Sequence, residues 1–189
     1  MDRDEAQGRQ RERASLELEP ADLAACRGIA EVHVEAWRHA YRDIVPAEYL
    51  AGLSVAEHEA MWRRSLAAGS PRLLVARSGD RVQGFIGFDA SRDEGAGSQI
   101  GEIWVLYVRP DAQRLGVGRR LCREALATLF AEGFTCVTLW LIVGNDNAMR
   151  FYRAMGFQLE PGSRQSFTLG GATVWEERLA ITPREALLA

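Results

Sequence analysis

The sequence predicts an α/β (α+β) protein, with one mixed central sheet of about six to seven strands and about four helices. Three observations predict it. Apolar residues change period along the chain, from helical spacing before residue 70 to strand-like runs after it, and then alternate. IGEIWVLYV, at 100–108, is dense in β-branched and aromatic residues and is ended by Pro110. The 189 residues, 47% hydrophobic and 26% charged, suit one soluble domain with a substantial core.

Taken in order, residues 1 to 14 carry alternating charge and little to bury, so a frayed tail is expected ahead of a single domain at 15–189. SLELE reads as a first strand. A helix is expected from Asp22 to about Tyr41, with His33, Trp37 and Tyr41 on one face at i, i+4 and i+8. One or two helices follow Pro46 and close at Gly69. RLLVAR and RVQGFIGFDA, joined at Ser78-Gly79-Asp80, predict a hairpin, and SRDEGAGS reads as a loop. After the 100–108 strand, Leu121, Cys122, Ala125, Leu126, Leu129 and Phe130 recur at helical spacing from Gly118, with Gly133 as the stop. TCVTLWLIV is a buried strand. NDNAMRFYRAMGF is a short helix capped by Asn145, Asp146 or Asn147 and stopped at Gly156. Strands near 157–160 and 173–180 end the fold.

Composition narrows function. A formal net charge of -3 argues against nucleic acid as a partner. All 23 basic residues are arginine, which excludes a Schiff-base lysine and the lysine of an ATP-binding P-loop. Cys26, Cys122 and Cys136 form no C-x-x-C pair, so neither a metal site nor a disulfide framework is expected, and Cys122 and Cys136, inside apolar runs, read as core thiols. His39 and His58 are expected to face solvent. The charged start lacks a signal-peptide core, and no apolar run is long enough to span a membrane. A cytoplasmic, reduced, soluble protein is the expectation.

DAQRLGVGRR, at 111–120, carries the chemistry. Gln113, Arg114, Leu115, Gly116, Val117 and Gly118 form a Q-x-x-G-x-G turn between strand and helix. Leu121 stands where a dinucleotide fingerprint needs its third glycine, and a P-loop needs lysine. The backbone N–H groups from Arg114 to Arg119 point into one concavity at a helix N-terminus, which favours an anion. Gly116 and Gly118 remove side chains that would keep a pyrophosphate off the backbone, and Arg114, Arg119 and Arg120 add charge-assisted donors. The same glycines also suit a plain strand-to-helix connection.

With IGEIWVLYVRPD before this turn and N-x-x-A-x-x-FY-x-x-x-GF thirty residues later, the sequence resembles the GNAT acetyltransferase superfamily from about Ser15 to Thr182. WRHAYRDIVP is also similar to a small bacterial subgroup. The resemblance implies a fourth strand splayed from the fifth, with the pantetheine arm of acetyl-CoA entering the gap. The backbone of Leu106, Tyr107 and Val108 would hold that arm, and an N–H near Leu106 would polarise the thioester carbonyl. Asn145 matches the family asparagine that contacts the coenzyme arm. Tyr152 matches the tyrosine that protonates the leaving thiolate. It also fits a packing face with Ala148, Phe151 and Met155.

The base is less defined. An ammonium acceptor must lose a proton, which calls for a carboxylate or a water chain. Glu102 is the acidic residue inside the fourth strand, and it reads either as that base or as a strand-end glutamate reaching solvent. Trp37 and Tyr41, with Arg42 and the loop 89–94, are candidates for the acceptor wall, although Trp37 and Tyr41 equally suit a core stripe. Acetylases of protein N-termini carry a glutamate where this chain has Trp140, which leans the reading toward a small-molecule amine. The expected activity is therefore acetyl-CoA-dependent N-acetyl transfer, direct and without an acetyl-cysteine intermediate. Alternatives are a protein or peptide N-acetyltransferase, an O-acetyltransferase, or a non-catalytic acyl-CoA-binding module. Homodimers are frequent in the superfamily.

Overall fold

A computed structural model describes residues 16–186. The expected tail at 1–14 lies outside the described residues. Eight strands are present: β1 (Leu16–Pro20), β2 (Arg72–Ser78), β3 (Arg81–Ala90), β4 (Ile100–Val108), β5 (Cys136–Ile142), β6 (Gln158–Leu159), β7 (Gln165–Leu169) and β8 (Ala172–Ile181). The helices are α1 (Cys26–Ala40), α2 (Ala47–Ala51), α3 (Val55–Ala68), α4 (Val117–Ala131), α5 (Asp146–Ala154) and α6 (Pro183–Ala186), with a 3-10 turn at Pro110–Ala112. Strand order is β1-β2-β3-β4-β5-β8-β6, with β7 also on β8. The β4–β5 pair is parallel, whereas β1–β2, β5–β8, β6–β8 and β7–β8 are antiparallel, so the sheet is mixed as expected.

The sequence reading undercounts both element types. QSFTL of β7 has only Phe167 and Leu169 as apolar residues, and four of its five residues are exposed. It becomes a strand because Gly170 and Gly171, both at positive φ, turn it back onto β8. Helix α6, four residues long, is too short to display a period, whereas α2 and α3 are the two helices allowed for between Pro46 and Gly69. Helix α1 begins four residues later than Asp22, because the Asp22 carboxylate accepts from the Ala25 N–H at 2.9 Å and so ends the entry turn. Helix α3 follows its signals: Ser54 Oγ accepts from Glu57 N–H, and Gly69 closes it at φ 73°.

The described chain divides into two compact units, the first from 16–36, 54–87 and 105–123, the second from 37–53, 88–104 and 124–186. Helices α1 and α4 and strands β3 and β4 each contribute residues to both. In the first unit, Cys26, Ile29, Ala30 and Val32 of α1 pack with Trp62, Leu73, Val75, Val82 and Phe85. Burial of one such aliphatic or aromatic side chain contributes about 1.5–3 kcal/mol. At Gly84 a Cβ would lie 2.9 Å from the Tyr107 carbonyl oxygen, so only glycine lets β3 approach β4 this closely. In the second unit, Tyr41, Val45, Leu50, Ile142 and Val174 form a separate core, with Trp37, Ile44, Tyr49 and Leu169 against it.

The His33–Trp37–Tyr41 stripe therefore serves two cores. His33 joins the first, stacked on Tyr107 at 4.8 Å between ring centroids and edge-on to His58 at 4.4 Å. His58 is half-buried rather than facing solvent, because its Nδ1 bonds the Ser54 carbonyl at 2.8 Å and turns the ring inward. His39 is exposed as expected. No helix among the described residues is long and apolar enough to cross a membrane.

Candidate active site

The anion-binding turn lies in the first unit and is shaped by its backbone. Arg114 adopts φ 63° and Gly116 φ 90°, the left-handed region where glycine is unstrained and arginine is not. Nothing stands within 4 Å of where a Gly116 Cβ would project, so the space beside that backbone is open. Helix α4 starts at Val117, and its first intrahelical bond of this turn runs from Arg120 N–H to Gly116 O at 3.0 Å. The start of a helix presents backbone N–H groups with few intrahelical partners, which makes the N-terminus of α4 electropositive. Gln113, Arg114, Gly116 and Arg119 are exposed, Leu115 is half-buried, and Val117 is buried and anchors the turn. These features fit a pyrophosphate.

Arg109, between β4 and the turn, is a residue that sequence reasoning missed. It is 5% exposed. Its Nη1 donates to both carboxylate oxygens of Glu35 at 2.7 Å, its Nη2 to Glu31 at 3.1 Å, and its Nε to the Val82 carbonyl at 2.9 Å. The backbone exit from β4 is thereby fastened to α1 and β3 immediately before the turn. The signal was available only as an arginine beside proline, which says nothing of partners 74 and 78 residues away.

In the second unit, β4 pairs with β5 only at Ile100–Glu102 against Cys136–Thr138. The two strands part after Glu102. From Trp104 to Val108 every residue of β4, Leu106 and Tyr107 included, is only half-buried despite its apolar sequence. A strand edge of this kind is where an extended ligand can add as a further strand.

Glu102 is 1% exposed, so the solvent-reaching alternative does not hold. Its Oε2 accepts from the Arg92 backbone N–H at 2.8 Å and its Oε1 from Arg92 Nε at 3.2 Å and from Nη2. The Arg92 guanidinium in turn covers the Trp104 ring at 4.2 Å. Next along the loop, Asp93 accepts from Trp140 Nε1 at 2.8 Å and from Arg178 Nη1 at 2.7 Å. Arg178 also pairs with Glu160, and its pKa lies above the ordinary arginine value, first because of the Asp93 hydrogen bond. The loop at 89–94 was a candidate for the acceptor wall, but its bonds to Glu102, Trp140 and Arg178 were not foreseen, and Arg178 was assigned no part.

Helix α5 carries the remaining two residues. Asn145 is its N-cap, with Oδ1 accepting from the Ala148 N–H at 3.1 Å, which leaves the side-chain NH₂ to donate elsewhere. Tyr152, 7% exposed, packs edge-to-face against Phe151 and Phe157 at 5.0 and 5.4 Å. A ring held this way has a fixed hydroxyl position, so packing and proton donation are compatible. Trp37 is half-buried, and Tyr41, 7% exposed, contributes its ring to the second core. Burial raises the pKa of all three thiols, that of Cys122 to about 12, so none is a ready nucleophile near neutral pH. Among the described residues no group of three His, Cys, Asp or Glu side chains could hold a metal ion.

Residues 34–157 match the acetyltransferase (GNAT) family. The chain is 32% identical over 168 residues to the uncharacterized N-acetyltransferase YuaI of Bacillus subtilis (strain 168), covering 88% of this chain and 93% of that protein. It is 34% identical over 126 residues to N-alpha-acetyltransferase RimI of Mycobacterium tuberculosis, covering 63% of this chain and 72% of that one. The crystal structure of the PaiA N-acetyltransferase from Thermoplasma acidophilum, in complex with coenzyme A, shares the fold with a TM-score of 0.66 at 22% identity, covering 86% and 98% of the two chains. With the mixed sheet, the parted β4 and β5 and the glycine turn, these similarities establish that the chain belongs to the GNAT family and is an N-acetyltransferase.

Proposed function

We propose that this protein, acting as one catalytic domain, transfers acetyl from acetyl-CoA directly to the amine of a small-molecule acceptor. The observation that carries the reading is the end of β4–β5 pairing at Glu102 and Thr138. It leaves strand backbone for a thioester arm to pair with. Leu106, Tyr107 and Val108 hold that arm, and the Leu106 N–H donates to the thioester oxygen as negative charge builds there. Gln113 to Arg119 grip the pyrophosphate, and the Asn145 NH₂ group donates to the arm. Tyr152 gives its phenolic proton to the departing thiolate.

Glu102 serves the acceptor side. With both of its oxygens bonded to Arg92, it acts through that arginine and the waters it orders, in keeping with a water chain as base. Trp37 flanks the acceptor, with Tyr41 behind it as support. Most of the rate arises from positioning and carbonyl polarisation.

A second reading, transfer to a protein N-terminus, is favoured by the similarity to RimI and opposed by Trp140, which stands where a glutamate is wanted. Release of coenzyme A across polyamines, amino acids, aminoglycosides and short peptides tests both. Turnover with small amines and none with peptides supports the first reading, and the reverse pattern overturns it. Acetyl-CoA binding without turnover on any acceptor would indicate a non-catalytic binding module.

A further inference from the structure

Two consecutive loop residues, Arg92 and Asp93, bond to different strands. Arg92 bonds Glu102 and covers Trp104, both on β4. Asp93 bonds Trp140 on β5 and Arg178 on β8. Glu102 and Thr138 form the last parallel pair, and Trp104 and Trp140 each lie two residues farther along their strands. A two-residue bridge therefore spans the point where β4 and β5 part, with one indole on each strand.

The charges here are not balanced. Glu102, Asp93 and Glu160 are three carboxylates facing the two guanidinium groups of Arg92 and Arg178, which leaves one net negative charge. Both guanidinium groups are already bonded to these carboxylates. Their charge is already offset by these carboxylates, so an anionic acceptor would meet a site of net negative charge. Asp93 retains a side-chain exposure of 20%, and each of its oxygens keeps a lone pair after accepting one hydrogen bond. The half-buried indoles of Trp104 and Trp140 already lie beneath the guanidinium groups of Arg92 and Arg178, at 4.2 and 5.7 Å, so the substrate contact rests on the Asp93 carboxylate.

We propose that Asp93, held in place by Trp140 and Arg178, sets acceptor specificity, selecting a cationic amine with no carboxylate beside the reacting nitrogen. This rests on the acetyltransferase reading above, in which the parting of β4 and β5 is the reaction point. The ammonium docks against Asp93, beside the two indoles.

The test uses the full chain saturated with acetyl-CoA and three matched probes: tyramine, tyrosine and tyrosine methyl ester. The ester keeps the bulk of tyrosine and removes its charge. Tyramine and the ester are expected to be acetylated with kcat/KM about tenfold above tyrosine, the size of one charge contact turned from attractive to repulsive. In Asp93→Asn, and in Trp140→Phe, which removes the donor that holds Asp93, the ratio should fall to about twofold or less, with the KM for acetyl-CoA unchanged. Tyrosine used as well as tyramine, acetylation of no probe, or a ratio unchanged in both variants overturns the proposal. Failure of acetyl-CoA to bind would instead overturn the acetyltransferase reading, and melting temperatures of both variants separate loss of selectivity from loss of fold.

Discussion

The indole N–H of Trp140 on β5 donates to Asp93 Oδ1, 47 residues away in the chain, at 2.8 Å. This bond closes one side of the β3–β4 loop over the parted strands. Trp140→Phe keeps the ring and loses the donor, so it should lower stability by about 1 kcal/mol, the net worth of one such hydrogen bond. Urea unfolding of the two proteins measures it, with a shifted midpoint at constant m as the expected result.

Glu102→Gln removes the partner of Arg92 at a site where the glutamate is buried and the arginine is half in solvent. Because the arginine side is screened, the stability loss should be modest, about 1–2 kcal/mol. A change in the acidic limb of the kcat/KM profile, beyond that loss, would mark Glu102 as part of the proton path. An unaltered profile would leave that path to water or another group.

For Tyr152→Phe, kcat should fall about 100-fold, within the range of general acid catalysis, while the KM for acetyl-CoA stays near its original value. The hydroxyl is used as the thiolate departs and not in binding. Thiol release in the steady state measures both constants, and undiminished kcat would remove the residue from the mechanism.

Gly116 sits at φ 90° beside open space. Gly116→Ala therefore meets no clash and suffers only backbone strain, about 1–2 kcal/mol. The larger effect should be on acetyl-CoA, since the methyl group would project into the open space beside the turn that a pyrophosphate would use. A KM raised about tenfold with kcat retained is expected in initial-rate kinetics.

Burial, with the nearby His58, holds the His33 pKa down at about 3, against about 6.5 for a free histidine. Folding therefore favours the neutral ring, and the unfolded chain binds the proton more tightly. The contribution is fully present above about pH 6.5 and is lost progressively as the pH falls toward 3, with a limiting slope of about 1.4 kcal/mol per pH unit. His33→Phe should flatten the stability profile between pH 6.5 and 4.5 relative to the parent. Parallel profiles from denaturant titrations at each pH would show that His33 does not contribute.

The route to the fold was legible where one segment suffices to reveal it. IGEIWVLYV declared a strand, Ser54 and Gly69 bounded a helix, and the chain order of strands and helices followed from the change in period. The Q-x-x-G-x-G turn and the N-x-x-A-x-x-FY segment pointed to the coenzyme because each is local chemistry: backbone donors at one helix start, a cap and a phenol on another. The short elements β7 and α6, five and four residues long, were not legible.

What the sequence by itself determined was the class of sheet, the family and the residue types available, including the absence of lysine. Tertiary structure alone decided what those residues face. It made Glu102 a buried partner of Arg92, divided the His33–Trp37–Tyr41 face between two cores, and joined Asp93 to Trp140 and Arg178. The physical reason is one of range. Period, capping and turn chemistry act within a few residues and leave a mark in local sequence, whereas an ion pair or a buried ring is defined by partners tens of residues distant, which only the folded chain brings within bonding reach.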